Sequence, residues 1–270
     1  MSQNLSDTVI SFDGVDVRDV LHGQTTRNFK ALAPNTPIDG AFCDVKGRVI
    51  TDFTAVLTAE TRVLMRVNDR VAPLLQQHLA KFLMFSKTKM TMLDWQCWGS
   101  KNGVDTTGAT ICILRNDGYC EVWSSNKTEP EQAISPEEWL AFRLVRGVAR
   151  IEEQSVGEYL PQDLNYDLKG YIDFDKGCYT GQEIIARLHY RGQPKRRLSL
   201  LAVNSSKQPG CGEKVIDSST GKAVGSVVEA VRQEDSYLCL CEAVIDVVNR
   251  NVELCGEAAS ILDFKSEGSQ

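Results

Sequence analysis

The 270-residue chain has no run of about 18 uncharged apolar residues, so no segment reads as a membrane-spanning helix. Its opening residues, MSQNLSDTVISFDGV, lack a basic stretch leading into an apolar core, so no signal peptide is read there and the cytoplasm is the expected location. No Cys-x-x-Cys pair occurs, and the three histidines, His22, His78 and His189, form no zinc-type spacing with the cysteines. A permanently bound metal is therefore not expected. Nine cysteines, an odd number in a long chain without a secretion signal, point to reduced thiols rather than a disulfide framework. Internal repeats are also missing, which excludes a solenoid or propeller.

Anionic charge dominates, with a formal net charge of −6. This argues against indiscriminate binding to nucleic acid, and no direct nucleic-acid partner is expected. The charge is uneven, however: Lys176, Arg187, Arg191, Lys195, Arg196 and Arg197 face a single anion, Glu183, between residues 176 and 197. Such a stripe suits a local anionic partner or a solvated helix face equally. A scaffold that binds RNA through residues 187–197 of this stripe is a further reading, weakened because Tyr190 is the only Phe, Tyr or Trp interleaved there.

The first ninety residues alternate strand and helix signals. TVISFDGVDV reads as a strand, a turn and a short helix, and DVLHGQTTRNFKAL as a helix closed by Gly23 with a new start at Thr25 or Thr26. Two strands flank a Lys46-Gly47 turn, and NDRVAPLLQQHLAKFLM is a helix capped by Asn68 or Asp69. Residues 89–134 are β-rich. In SPEEWLAFRLVRG, Ser135 and Glu138 stand at capping-box spacing and Gly147 is a natural stop. From residue 196 onward the strands have no helix between them, as in a small antiparallel barrel. The expected fold class is α+β, with residues 1–195 forming two interleaved α+β subdomains split near residue 90 and residues 196–270 the barrel.

One stretch concentrates reactive groups: DKGCYTGQEIIARLHYRG, residues 175–192. Thr180 and Glu183 have capping-box spacing, so a helix is expected from Gly181 with Thr180 as its cap. Cys178 would then lie near the positive helix end, and with Lys176 close by its thiolate form would be favoured. Each residue also has a plain structural role open to it: Glu183 as part of the cap, Arg187 and Arg191 as solvated charges, Cys178 as a small buried side chain. A cysteine-protease reading would need a histidine partner for the thiol; His22 and His189 are candidates, and no protease signature surrounds either.

Lys176-Gly177-Cys178-Tyr179-Thr180-Gly181-Gln182-Glu183 resembles the signature of the YgfZ family of folate-binding proteins, Lys-Gly-Cys-aromatic-x-Gly-Gln-Glu. FRLVRGVARI, YLPQDLNYD, LHGQTT and CDVKGRVITDF resemble other elements of that family, so the likeness runs from about residue 12 to 200. The family is similar to the aminomethyltransferases of glycine cleavage. The resemblance implies a ring of GcvT-like α/β subdomains around a central tetrahydrofolate pocket, followed by the barrel. It also implies an accessory protein for assembly or repair of iron–sulfur proteins, among them tRNA-modifying cluster enzymes, with those client or assembly proteins as partners. A monomer is the default expectation, because no long apolar surface pattern demands a second copy.

Carried onto this chain, the resemblance makes Cys178 and Lys176 the reactive pair, with the thiol acting as nucleophile, redox group or passing cluster ligand. It makes Gln182, Glu183, Tyr179 and Gly181 candidates for contact with folate. Arg143, Arg187 and Arg191 suit a glutamate tail because guanidinium forks pair with carboxylates, and Gln162 and Asn165 could supply polar contacts. Two departures stand out. The family's Gly-Ile-Pro is Gly147-Val148-Ala149 here, a looser turn, and the transferases' paired aspartates are Thr51-Asp52. Asp52 is the one acid left for the alternative reading, a folate-dependent one-carbon transferase.

Overall fold

Strand β1 (Asp7–Asp13) shows how the chain divides its apolar residues. Its two-residue period sends Val9 to one face of the sheet and Ile10 and Phe12 to the other, and each face meets a different core. The computed structural model describes residues 4–101, 110–115 and 118–265. In it, β1 sits inside a five-stranded antiparallel sheet with β2 (Pro37–Cys43), β3 (Val49–Ala59), β4 (Arg62–Asn68) and β5 (Lys89–Leu93), in the order β2-β3-β4-β1-β5. Helices α1 (Val17–Gln24) and α2 (Ala72–Leu83) cover the Ile10 and Phe12 face through Leu21, Leu75 and Leu79.

The opposite face packs on a second, three-stranded sheet of β6 (Gln96–Lys101), β7 (Thr110–Leu114) and β8 (Tyr119–Ser124), with β8 in the middle. Helix α3 (Pro136–Leu144) joins that core with Trp139 and Phe142. The Ser135 hydroxyl accepts from the Glu138 N–H at 3.1 Å, as the capping spacing predicts. The C-terminal region is a closed six-stranded antiparallel barrel of β9 (Arg196–Val203), β10 (Lys214–Asp217), β11 (Ala223–Gln233), β12 (Ser236–Val244), β13 (Val252–Leu254) and β14 (Glu257–Leu262), in the order β10-β11-β12-β9-β14-β13. Cys239 and Cys241 are both buried inside it, where alternation along one strand puts them on one face.

Four local expectations are corrected. Gly23 lies within α1 rather than ending it, and only a short 3-10 turn at Phe29–Ala31 follows. Helix α2 begins after Val71, because Asn68 is still the last residue of β4. Helix α4 (Gln182–Arg191) is capped by Gly181, not Thr180, whose hydroxyl instead pairs with the Gln24 side chain at 3.1 Å. The Gly147-Val148-Ala149 turn is not loose. Phe264 packs on Gly147, the Val148 N–H donates to Arg143, and the Tyr166 hydroxyl donates to the Ala149 carbonyl.

Two glycines lock α4 onto the β2–β3 turn. Gly181 has φ of +85°, and a Cβ there would stand 2.5 Å from the Asp44 carbonyl and 3.0 Å from the Gly47 Cα. Gly47, with φ of +74°, is in turn pressed by Ile184. Both the left-handed backbone and the contact demand glycine. Gly181→Ala is expected to destabilise the protein by about 2 kcal/mol or more, read as a lower urea midpoint at unchanged slope.

Candidate functional site

The sheets and α3 enclose a cavity of about 250 Å³. Its walls include Asp39 of β2, Asp52 of β3, Arg66 of β4, Glu121 of β8, and Arg143, Arg146 and Arg150 from α3 and the segment after it. Trp139, Phe142 and Tyr171 supply aromatic surface. Six cations line this cavity against three carboxylates, so its interior favours a ligand carrying negative charge.

Most of those charges are committed to one another. Arg150 forks onto Asp7, with one contact at 2.9 Å, and approaches Asp52 at 3.4 Å. Asp52 accepts from Arg66 at 3.2 Å and from the Ile151 N–H at 2.8 Å. Arg66 reaches Glu121 at 2.8 Å, and Glu121 takes Arg115 at 2.9 Å on its second oxygen. Arg115 then pairs with Asp39 at 2.8 Å. Burial opposes the charge on Glu121, but Arg66 and Arg115 overcome it and hold its carboxyl well below the usual range. Removing one member of such a buried chain strands its partners and costs about 3–5 kcal/mol.

Lys169 differs, because it lines the cavity and has no carboxylate partner among the described residues. Arg146 lies against the Phe142 ring at 4.1 Å and donates to the Phe142 carbonyl. Arg143, read from the sequence as a fork for a carboxylate tail, spends that fork on Glu229 at 2.7 and 3.2 Å. Gln162 and Asn165 are buried and do not line this cavity: Gln162 donates to the Ile185 carbonyl, and Asn165 closes a 3-10 turn at φ of +56°. Sequence reasoning missed Arg66, Arg115, Arg150 and Glu121, which sit at strand or loop positions with no local motif.

The signature residues lie elsewhere, and most of them build the joint between α4 and the N-terminal sheet. The buried Lys176 ammonium donates to the carbonyls of His22, Thr25 and Arg27, the last two at 2.7 and 2.8 Å, and lies over the Tyr179 ring at 4.6 Å. It therefore works as a cross-link, not as a free amine beside the thiol. Gly177 leaves room for His22 Nε2, which would be 3.2 Å from a Cβ at that position. Tyr179 is buried in the main core, and Gln182 accepts from the Tyr179 N–H. Cys178 and Glu183 are the signature residues exposed to solvent with functional side chains. Gln182, Glu183, Arg187 and Arg191 line an outer groove that shares no residue with the central cavity.

Comparison with known proteins agrees with this architecture. No family model matches the chain. Its fold is that of the aminomethyltransferases: glycine cleavage system aminomethyltransferase T from Bartonella henselae superposes with a TM-score of 0.72 over 98% of this chain and 86% of that one, at 14% identity. More particularly, the chain is a homologue of proteins named tRNA-modifying protein YgfZ. One from Aliivibrio fischeri is 28% identical over 255 residues, covering 85% of this chain and 80% of its own length. Another from Escherichia coli is 25% identical over 271 residues, covering 88% and 81%. A Haemophilus influenzae protein described as uncharacterized is 29% identical over 224 residues, covering 80% and 79%. The resemblance drawn from the signature is borne out, as are the GcvT-like fold and the C-terminal barrel.

Lys176 gives the site a testable pH signature. Burial pulls its pKa down to about 7 from 10.5, with Asp173 opposing and Arg27 assisting. Between those two values the unfolded chain binds the extra proton, so this group makes stability rise with pH across that window. Lys176→Met leaves three carbonyls without their donor and is expected to cost about 1–3 kcal/mol. Urea midpoints at several pH values should also show the variant losing part of the wild-type rise.

Proposed function

We propose that the protein binds tetrahydrofolate in the central cavity and acts as an accessory factor in tRNA modification, through assembly or repair of the iron–sulfur enzymes that carry it out. The observation that carries this reading is the cavity itself: an aromatic-walled chamber with more cations than carboxylates, in a fold shared with an aminomethyltransferase. Its volume of about 250 Å³ is slightly below the roughly 300–1,000 Å³ typical of ligand pockets, and suits the ring portion of a folate better than the whole molecule. Trp139, Phe142 and Tyr171 would hold the rings. Lys169 is the lining cation best disposed toward an anionic tail, since Arg66, Arg115, Arg143 and Arg150 already face carboxylates.

The alternative, a one-carbon transferase, depends on Asp52. That carboxylate does line the cavity, but its oxygens are occupied by Arg66, Arg150 and the Ile151 N–H. A side chain so held stabilises positive neighbours better than it moves a proton. Cys178 is assigned the functional thiol on its exposure alone among the signature's reactive groups, and client proteins would meet it at the surface.

Calorimetric titration of the reduced protein with tetrahydrofolate tests the binding site. Saturable binding is expected, weakened about tenfold by Lys169→Glu and unchanged by Glu183→Ala, which lies in the outer groove. The absence of binding, or loss with Glu183→Ala and none with Lys169→Glu, overturns the assignment. Turnover of an aminomethyl donor would favour the transferase.

A further inference from the structure

Helix α4 presents a surface that the folate reading does not use. Arg187, Arg191 and Lys195 are exposed there and have no carboxylate partner among the described residues, whereas Arg196 and Arg197 of the same stripe are paired with Glu242 and Asp167. The sequence shows only Tyr190 as an aromatic neighbour of these cations. The folded chain adds two more rings. Phe174, from the loop before the signature, stacks on His189 with centroids 3.6 Å apart and planes 12° from parallel, and Tyr190 meets His189 edge-on at 4.7 Å.

These rings border a cleft of about 850 Å³ whose lining also includes Asn28, Ile38 and Lys176. Beside it runs the groove of about 440 Å³ containing Arg187 and Arg191. Tyr190, 62% exposed, lines both. An extended polymer crossing Tyr190 would thus have flat apolar surface on one side and two guanidinium groups on the other. Beyond Asp173, which pairs with Arg27 at 3.1 Å, two acids bound this path: Asp175 in the cleft and Glu183 in the groove. They leave room for a short footprint between them and disfavour a long one.

We propose that this face binds single-stranded RNA directly, seating one base in the cleft against His189 and Tyr190 while Arg187 and Arg191 hold the adjoining phosphates. Flat rings beside arginines are what unpaired bases and their backbone require, and a duplex offers no free base face to stack. An acidic protein segment would satisfy the arginines but leave the ring cluster and its cleft without a role. The inference goes beyond an indirect part in tRNA modification and does not depend on folate binding.

Fluorescence anisotropy with a labelled, unstructured RNA of about ten nucleotides tests it at low salt. Wild-type protein is expected to bind the single strand in preference to a duplex of the same sequence. Tyr190→Ala should weaken binding about fivefold or more, and the double variant Arg187→Gln, Arg191→Gln should flatten the dependence of log Kd on log salt by about 1.4. All three side chains are exposed, so circular dichroism of the variants should match wild type. Failure to bind RNA overturns the proposal, as does binding that Tyr190→Ala leaves unchanged. An equal response from a labelled polyglutamate peptide overturns it as well, because the face would then read charge alone. Titration of the same variants with tetrahydrofolate keeps the two questions apart: RNA binding can fail while folate binding holds, and the reverse.

Discussion

The buried chain of charges from Asp7 through Arg150, Asp52, Arg66, Glu121 and Arg115 to Asp39 is the constraint on which the rest of the structure depends. It ties β1, β2, β3, β4 and β8 to the segment after α3, and its members form most of the cavity wall. Charges taken from water persist only when every partner is in place, so the chain fixes the relative position of the two sheets more strictly than apolar packing would. Thr54 and the Trp123 N–H complete the bonding, at 2.6 Å to Arg66 and 2.7 Å to Glu121. The cost of such a network is high if any link fails, and its return is a rigid chamber in which Lys169 is a lining cation without a carboxylate partner among the described residues.

The signature around Cys178 solves a different problem. Lys176, Gly177, Tyr179, Gly181 and Gln182 bind the start of α4 to α1 and to the β2–β3 turn, through carbonyl contacts, a ring contact and the left-handed Gly181 pressed on Gly47. What remains free is a thiol held outward on a stiff base. Rigid presentation of one exposed group is a common way to give a surface residue a defined partner geometry. Cavity and thiol thus occupy separate places, and α4 connects the thiol to the ring cluster and arginines on its outer side.

Much of the fold was legible because it rests on local pattern. The Ser135 cap, the Lys46-Gly47 turn and the alternating strands of the barrel depend on residues a few positions apart. The α+β class followed from the strand and helix pattern, and the aminomethyltransferase likeness from the signature. The central site was less legible. Asp52 and Arg143 were singled out, but their partners, Arg66, Arg150 and Glu229, lie 14 to 98 positions away from them and carry no motif. Capping spacing at Thr180 and Glu183 misled for a physical reason: the Asp44–Gly47 turn presses on Gly181, and that long-range contact sets the helix start. Likewise Phe174 stands fifteen residues before His189, too far for helical spacing to pair them.

Hydrogen–deuterium exchange with and without tetrahydrofolate tests the central claim most directly, because it reports where the ligand acts without altering any residue. Slower exchange is predicted for the peptides containing Trp139–Arg150 and Lys169–Tyr171, which line the cavity, with little change over Gln182–Arg191. Protection confined to α4 and the signature loop, with the cavity peptides unaltered, would contradict the account and move the folate site to the surface around Cys178.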